Sequence, residues 1–151
     1  MNGEKKMNNI VLISGGFDPI HSGHIALIQE AAKLGNVVVL LNSDNWLRAK
    51  KGKEFLPYKE REIIMGSIKT VIDVLSFNDS DMTCIEGIKK TISKYPDRNI
   101  KFANGGDRNT KTTPETTFCE NNRVETLWGI GGNNKKNSSS WILQNWQKGV
   151  N

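Results

Sequence analysis

The only two histidines of this 151-residue chain both fall inside the run Gly15-Gly16-Phe17-Asp18-Pro19-Ile20-His21-Ser22-Gly23-His24. An imidazole beside a phosphate can donate a hydrogen bond to it, more strongly when protonated. His21 and His24 stand three residues apart, which places them on one face of a helical turn. Gly23 between them removes a side chain where a ligand would approach. The apolar run Ile10-Val11-Leu12-Ile13 before the block reads as a strand. Gly23–Leu34 reads as a helix, with Gly35 as its C′ residue. A glycine-rich turn between a strand and a helix start offers unpaired N–H groups and the positive end of a dipole to an anion. The run is therefore read as a phosphate site, with Gly15, Gly16, Phe17, Asp18 and Gly23 binding and His21 and His24 acting on the bound group.

Three further clusters carry polar chemistry. Asn42-Ser43-Asp44 is followed by Lys50, Lys51 and Lys53, read as a flexible basic loop able to fold over a triphosphate and neutralise it. Arg61, early in the next helix, could aim at that site or sit on the surface. Asn104-Gly105-Gly106-Asp107-Arg108 allows close backbone approach at Gly105 and Gly106 and offers Asp107 to a polar ligand. Lys135-Lys136-Asn137-Ser138-Ser139-Ser140 places three serines before an apolar-periodic stretch, a pattern that caps a helix and can also hold an anion. Thr110–Arg123 is polar and irregular, read as a lid, an acceptor-specificity loop or an oligomer contact. Trp128, Trp141 and Trp146 are read as core or dimer contacts, and Trp46, near the basic loop, as a packing residue or a ring that stacks on a ligand.

The elements that position these clusters alternate along the chain. Strand readings fall at Ile10–Ser14, Val37–Leu41, Thr70–Leu75, Ile100–Ala103 and Val124–Trp128. Helix readings fall between them at Gly23–Leu34, Tyr58–Lys69 and Asp81–Tyr95, with Ser139–Gln147 closing the chain. Alternation of this kind implies an α/β fold: a Rossmann-like, doubly wound parallel sheet of about five strands, helices on both faces. In such sheets ligands bind beyond the carboxyl ends of the strands. Every polar cluster above follows a strand, so all of them fall on one edge and can build one site. Residues 1–9 are read as a loose tail and 10–151 as a single domain.

Bulk properties narrow the classes. Hydrophobic residues make up 36% and charged residues 25%, ordinary for a folded soluble chain rather than a disordered one. The longest apolar run, Val37–Leu41, is far too short to cross a membrane. A formal charge of +5 suits an anionic partner without choosing among nucleotides, sugar phosphates and nucleic acid. No zinc-finger spacing or RNA-binding motif is present, so nucleic acid is not the expected partner. Cys84 and Cys119 lack metal-ligand spacing and are read as reduced thiols of a cytoplasmic protein.

The block GGFDPIHSGH closely resembles the HxGH signature of the nucleotidyltransferase superfamily. Gly16, Phe17, Asp18, His21, Gly23 and His24 match that motif residue by residue. The later motifs resemble those of glycerol-3-phosphate cytidylyltransferases and heptose-phosphate adenylyltransferases. Lys50 stands where the resemblance puts a triphosphate-binding lysine; the second lysine of that pair falls on Gly52, flanked by Lys51 and Lys53. Tyr58 and Arg61 also match the cytidylyltransferases, and Gly106-Asp107 aligns with their Gly-Asp-Asp turn and with the Gly-Gly-Asp of the heptose-phosphate adenylyltransferases. Ser138-Ser139-Ser140 with Ile142 is similar to the Ser-Thr-Thr-x-Ile ending of both groups. Asn133 departs from the cytidylyltransferase pattern, which has arginine there. The Gly-Gly-Phe-Asp-Pro wording is also similar to that of nicotinamide-mononucleotide and pantetheine-phosphate adenylyltransferases.

The resemblance implies transfer of CMP from CTP to a phosphorylated polyol or sugar such as glycerol 3-phosphate, with release of pyrophosphate. The alternative is transfer of AMP from ATP to a sugar 1-phosphate such as a heptose phosphate. It also implies catalytic roles for His21, His24 and Lys50, and nucleotide contacts from Lys53, Arg61, Gly105, Gly106, Asp107 and Ser138–Ser140. Mg²⁺ is expected to bind mainly through nucleotide phosphates, with no metal-binding residue assigned, and the chain is expected to form a homodimer. A non-catalytic nucleotide-binding module and a basic nucleic-acid-binding protein are the readings from other classes.

Overall fold

A computed structural model of the chain describes residues 8–105, 113–130 and 138–150. Five strands, β1 (Asn9–Gly15), β2 (Asn36–Leu41), β3 (Val71–Leu75), β4 (Asn99–Gly105) and β5 (Glu125–Ile130), form one sheet in the order β3-β2-β1-β4-β5. Every neighbouring pair is parallel. Six helices lie among the described residues: α1 (Ser22–Ala32), α2 (Asp44–Lys51), α3 (Tyr58–Gly66), α4 (Ile85–Lys94), α5 (Pro114–Asn121) and α6 (Ser139–Val150).

The strand runs explain the layering. Side chains alternate across a sheet, so a parallel strand covered on both faces must be apolar at every position. Ile10 and Leu12 join Val38, Leu40, Ile88 and Phe102 on the face covered by α4 and α5. Val11 and Ile13 join Val37, Val39, Ile28 and Met65 on the face covered by α1 and α3. Val37 to Leu41 are all at most 1% exposed. Burying a side chain of this kind contributes about 1.5–3 kcal/mol, which makes β1 and β2 the anchor of the fold.

The order of winding places the crevice. The chain winds outward from β1 through β2 to β3, then returns to the other side of β1 for β4 and β5. The reversal lies between β1 and β4, and the loops at their carboxyl ends border it.

Several local expectations are corrected. Asn9 opens β1, pairs with Asn99 and donates from its side chain to the carbonyl of Leu34, so it does not belong to a tail. Gly35 is not a left-handed helix cap: α1 closes at Lys33 in right-handed geometry. Gly35 is needed because a Cβ there would lie 2.6 Å from the carbonyl oxygen of Asn9.

The basic stretch after β2 is not a flexible loop. Ser43 caps α2 by accepting from the N–H of Trp46, and Asp44 begins its first turn. Arg48, Lys50 and Lys51 complement the dipole in its last turn, and Gly52 ends it at φ 94°. The irregular stretch 110–123 likewise contains a helix, α5, started by a reciprocal Thr113–Thr116 capping box with Pro114 at its first position. The helix read over Asp81–Tyr95 begins later, at Ile85, because Asp81 accepts from Thr83 in a local turn. Trp141 and Trp146 are exposed rather than buried in a core.

Candidate active site

The first motif folds as the junction between β1 and α1. His21 is the N-cap of α1, and its Nδ1 accepts from the N–H of Gly23 at 3.0 Å. His24 reaches back, so that its own Nδ1 accepts from the N–H of His21 at 3.2 Å. Imidazoles thus perform the reciprocal capping usually done by hydroxyl and carboxylate side chains. A ring nitrogen that accepts carries no proton, so in the neutral rings the proton sits on Nε2. The two rings stack with centroids 3.7 Å apart. The Phe17 ring meets His24 edge-on at 4.8 Å. Burial first, and the neighbouring His21 second, push the pKa of His24 down to about 3. His24 is therefore neutral near pH 7.

The glycines serve close packing. A Cβ on Gly16 would lie 2.6 Å from Cδ2 of Leu47 and 3.5 Å from the Trp46 ring, so α2 rests directly on the turn. Gly15 ends β1 and its carbonyl accepts from the N–H of Asn42, joining the exits of β1 and β2. Gly23 lies in the first turn of α1.

Asp18 and Arg61 hold the turn from inside. Asp18 is 3% exposed, and its carboxylate accepts from the N–H groups of Phe55 and Leu56, each at 2.6 Å. It also pairs with Lys51 at 3.1 Å, and Lys51 donates to the Asp18 carbonyl as well. Arg61 is 1% exposed and donates to the carbonyls of Leu56, Gly16 and Asn42 and to the Asp44 carboxylate. Of the two orientations open to Arg61, the structure takes neither: the guanidinium points inward and ties the turn to the exit of β2. Neither Asp18 nor Arg61 faces outward toward a ligand.

Asp79, beyond β3, was not singled out by its residue type. It accepts from the Asn42 side chain, the Ser43 N–H and the Ser43 hydroxyl at 2.7–3.0 Å. A buried acidic residue in a polar loop gives no periodic signal in the sequence; only its position after a strand could have pointed to it.

The closing helix meets the same turn. Ser138 caps α6 by accepting from the N–H of Trp141. Ser139 donates to the carbonyl of Pro19 at 2.8 Å. The first turn of α6 therefore touches the turn that leads into α1, which brings the two helix N-termini together. Ser140 is in the first turn of α6 and is exposed.

The lysines differ in their commitments. Lys51 is held by Asp18. Lys50 is exposed, with its Nζ 4.9 Å from the centroid of the Trp46 ring. Such a contact at an exposed position contributes about 0.5–1 kcal/mol. Lys53 is exposed just past the turn at Gly52. Gly105 closes β4. Gly106, Asp107, Asn133, Lys135 and Lys136 lie outside the described residues.

Among the described residues no group of three or more His, Cys, Asp or Glu side chains could hold a metal ion. No helix among them is long and apolar enough to cross a membrane.

The structure is a doubly wound parallel sheet with a histidine-capped turn at its reversal point. The family is shown directly. The model of the cytidylyltransferase-like family matches residues 12–130, and the chain belongs to that family of nucleotidyltransferases. It is similar to the bifunctional protein HldE of Citrobacter koseri, 31% identical over 132 residues, covering 85% of this chain and 24% of that protein. The HldE of Salmonella arizonae is 32% identical over the same shares. The chain thus spans about a quarter of the length of these relatives. In fold it is similar to the lipopolysaccharide core biosynthesis protein of Thermoplasma volcanium, with TM-score 0.61 and 20% identity over 81% of this chain and 93% of that one.

Proposed function

We propose that this chain transfers a nucleoside monophosphate from a magnesium–nucleoside triphosphate to the phosphate of a small polyol or sugar phosphate. The observation that carries this reading is the imidazole pair, each Nδ1 fixed to backbone, where two helix N-termini meet. A phosphate oxygen of the acceptor attacks the α-phosphorus in line and forms the new P–O bond. The bond to the bridging oxygen breaks, and pyrophosphate leaves with its electrons. The acceptor is already anionic near neutral pH, so no general base is required. The work left to the protein is positioning and stabilisation of growing charge.

In this reading the Nε2–H groups of His21 and His24 donate to the α- and β-phosphate oxygens as charge builds. Lys50 neutralises the triphosphate from outside, with Lys53 beside it. The start of α6 at Ser138–Ser140 receives the β- and γ-phosphates. Asp18 and Arg61 hold the turn instead of touching the nucleotide. By the motif resemblance alone, Asp107 would contact ribose, base or acceptor. Mg²⁺ would arrive with the nucleotide as part of the substrate, bound mainly through its phosphates.

The motif resemblance favours CTP with a polyol phosphate such as glycerol 3-phosphate. Two of its supports, Tyr58 and Arg61, belong to the scaffold, since Arg61 lies against the Tyr58 ring at 5.4 Å inside the fold. They carry no information on the base. The second reading is ATP with a sugar 1-phosphate such as a heptose phosphate, favoured by Asn133 where the cytidylyltransferase pattern has arginine. A cytoplasmic homodimer is part of the proposal, supported by the free cysteines and by the exposed Trp141 and Trp146 on α6.

The test is pyrophosphate release with Mg²⁺, using CTP and ATP separately against a panel of polyol and sugar phosphates. Release with one nucleotide and one acceptor establishes the transfer and both specificities. Absence of any nucleotide binding would overturn the reading.

A further inference from the structure

The proposed triphosphate site leaves Trp46 without a role in the reaction, although it touches two parts of that site. Its ring lies 3.5 Å from where a Cβ on Gly16 would stand. The ammonium of Lys50 lies over the same ring, 4.9 Å from its centroid. Trp46 and Lys50 are four residues apart on α2, so they share a helical face. The backbone under the ring is fixed: the Trp46 N–H is bound to the Ser43 hydroxyl, and the next residue, Leu47, is buried against Gly16.

We infer that Trp46 is a positioning residue, which holds the Lys50 ammonium beside the phosphate turn so that it meets an incoming triphosphate without leaving the indole. This rests on the triphosphate reading given above. An ammonium has three N–H groups; one side can lie on the ring while the others remain directed outward. The neighbouring lysine cannot substitute, because Lys51 is engaged by Asp18. A lysine stem alone is flexible, so a ring beneath the charge reduces the ordering cost of binding. A charge-assisted contact to phosphate then adds to the ring contact instead of replacing it.

The experiment compares wild type with Trp46→Leu and Trp46→Phe, using magnesium tripolyphosphate and the accepted magnesium nucleotide as probes. Trp46→Leu is expected to weaken binding of both probes roughly fivefold, while the KM for the acceptor stays within about twofold. Trp46→Phe keeps an aromatic face and is expected to recover part of the loss. In wild type the probes change tryptophan emission, and in Trp46→Phe most of that change disappears.

Unaltered or tighter probe binding by a folded Trp46→Leu protein overturns the inference, since tighter binding would mean that the ring competes with phosphate. A parallel rise in the acceptor KM also overturns it, as a general loss of shape would act that way. Should Trp46→Leu not fold, the emission change decides the matter: its full persistence in Trp46→Phe overturns the inference. Wild type that binds neither probe overturns the triphosphate reading together with this one.

Discussion

One ring nitrogen on each histidine is spent on capping a helix, and that sets what the other nitrogen can do. Asparagine at position 24 would keep an acceptor for the His21 N–H and lose the Nε2 donor. His24→Asn is therefore expected to fold with stability within about 1 kcal/mol of wild type at pH 7 and to lose roughly 10²–10³ in kcat. Turnover at the wild-type rate would remove His24 from the chemistry. The depressed pKa has its own consequence. The unfolded ring binds a proton near pH 6.5, whereas the folded ring does so only near 3. Between those values the unfolded state holds the extra proton, so this site's contribution to stability falls as pH drops, by up to about 1.4 kcal/mol per unit. Urea unfolding at pH 7 and pH 5 should show wild type losing roughly 1–2 kcal/mol more than His24→Asn over that step. Arg61 makes a different prediction. Arg61→Met leaves the carbonyls of Gly16 and Asn42 without their buried donor, and a loss of about 3 kcal/mol is expected in urea unfolding.

Elements decide where these residues meet. Ser139→Ala removes the tie between α6 and Pro19. The expected cost is about 1 kcal/mol of stability and a several-fold rise in KM for the nucleotide, with the acceptor KM little changed in steady-state kinetics. Gly35→Ala tests the strand–helix junction, because the added carbon meets the Asn9 backbone and not a flexible side chain. A loss of about 1–3 kcal/mol is expected from thermal or urea melts. The alternation of strands and helices was readable from apolar runs such as Val37–Leu41, and so was the meeting of the segments after β1 and β2. The helices α2 and α5 were hidden. α2 offers little more than Trp46 and Leu47 as apolar signal, and its lysines look the same on a helix as on a loop. In α5 the capping threonines, not hydrophobic spacing, mark the start. The inward aim of Arg61 was equally unreadable, since its partners are backbone carbonyls brought together only by the tertiary fold.

At the scale of the whole molecule, the proposed metal dependence of transfer is expected to separate from folding. The sheet is held by two apolar layers, and the described residues offer no metal cage. Chelating Mg²⁺ is thus expected to abolish transfer while leaving the thermal midpoint of the unliganded protein unchanged. A chelator-induced fall in that midpoint would show that a metal supports the fold. Burial pushes the thiol of Cys84 up to about 12 and that of Cys119 up to about 11. Both belong to the layer under α4 and α5, away from the face that α1 covers. A thiolate is the reactive form, and here it requires both exposure and deprotonation. Alkylation by a thiol reagent would then run as a clock wound only when that layer opens, timing its excursions.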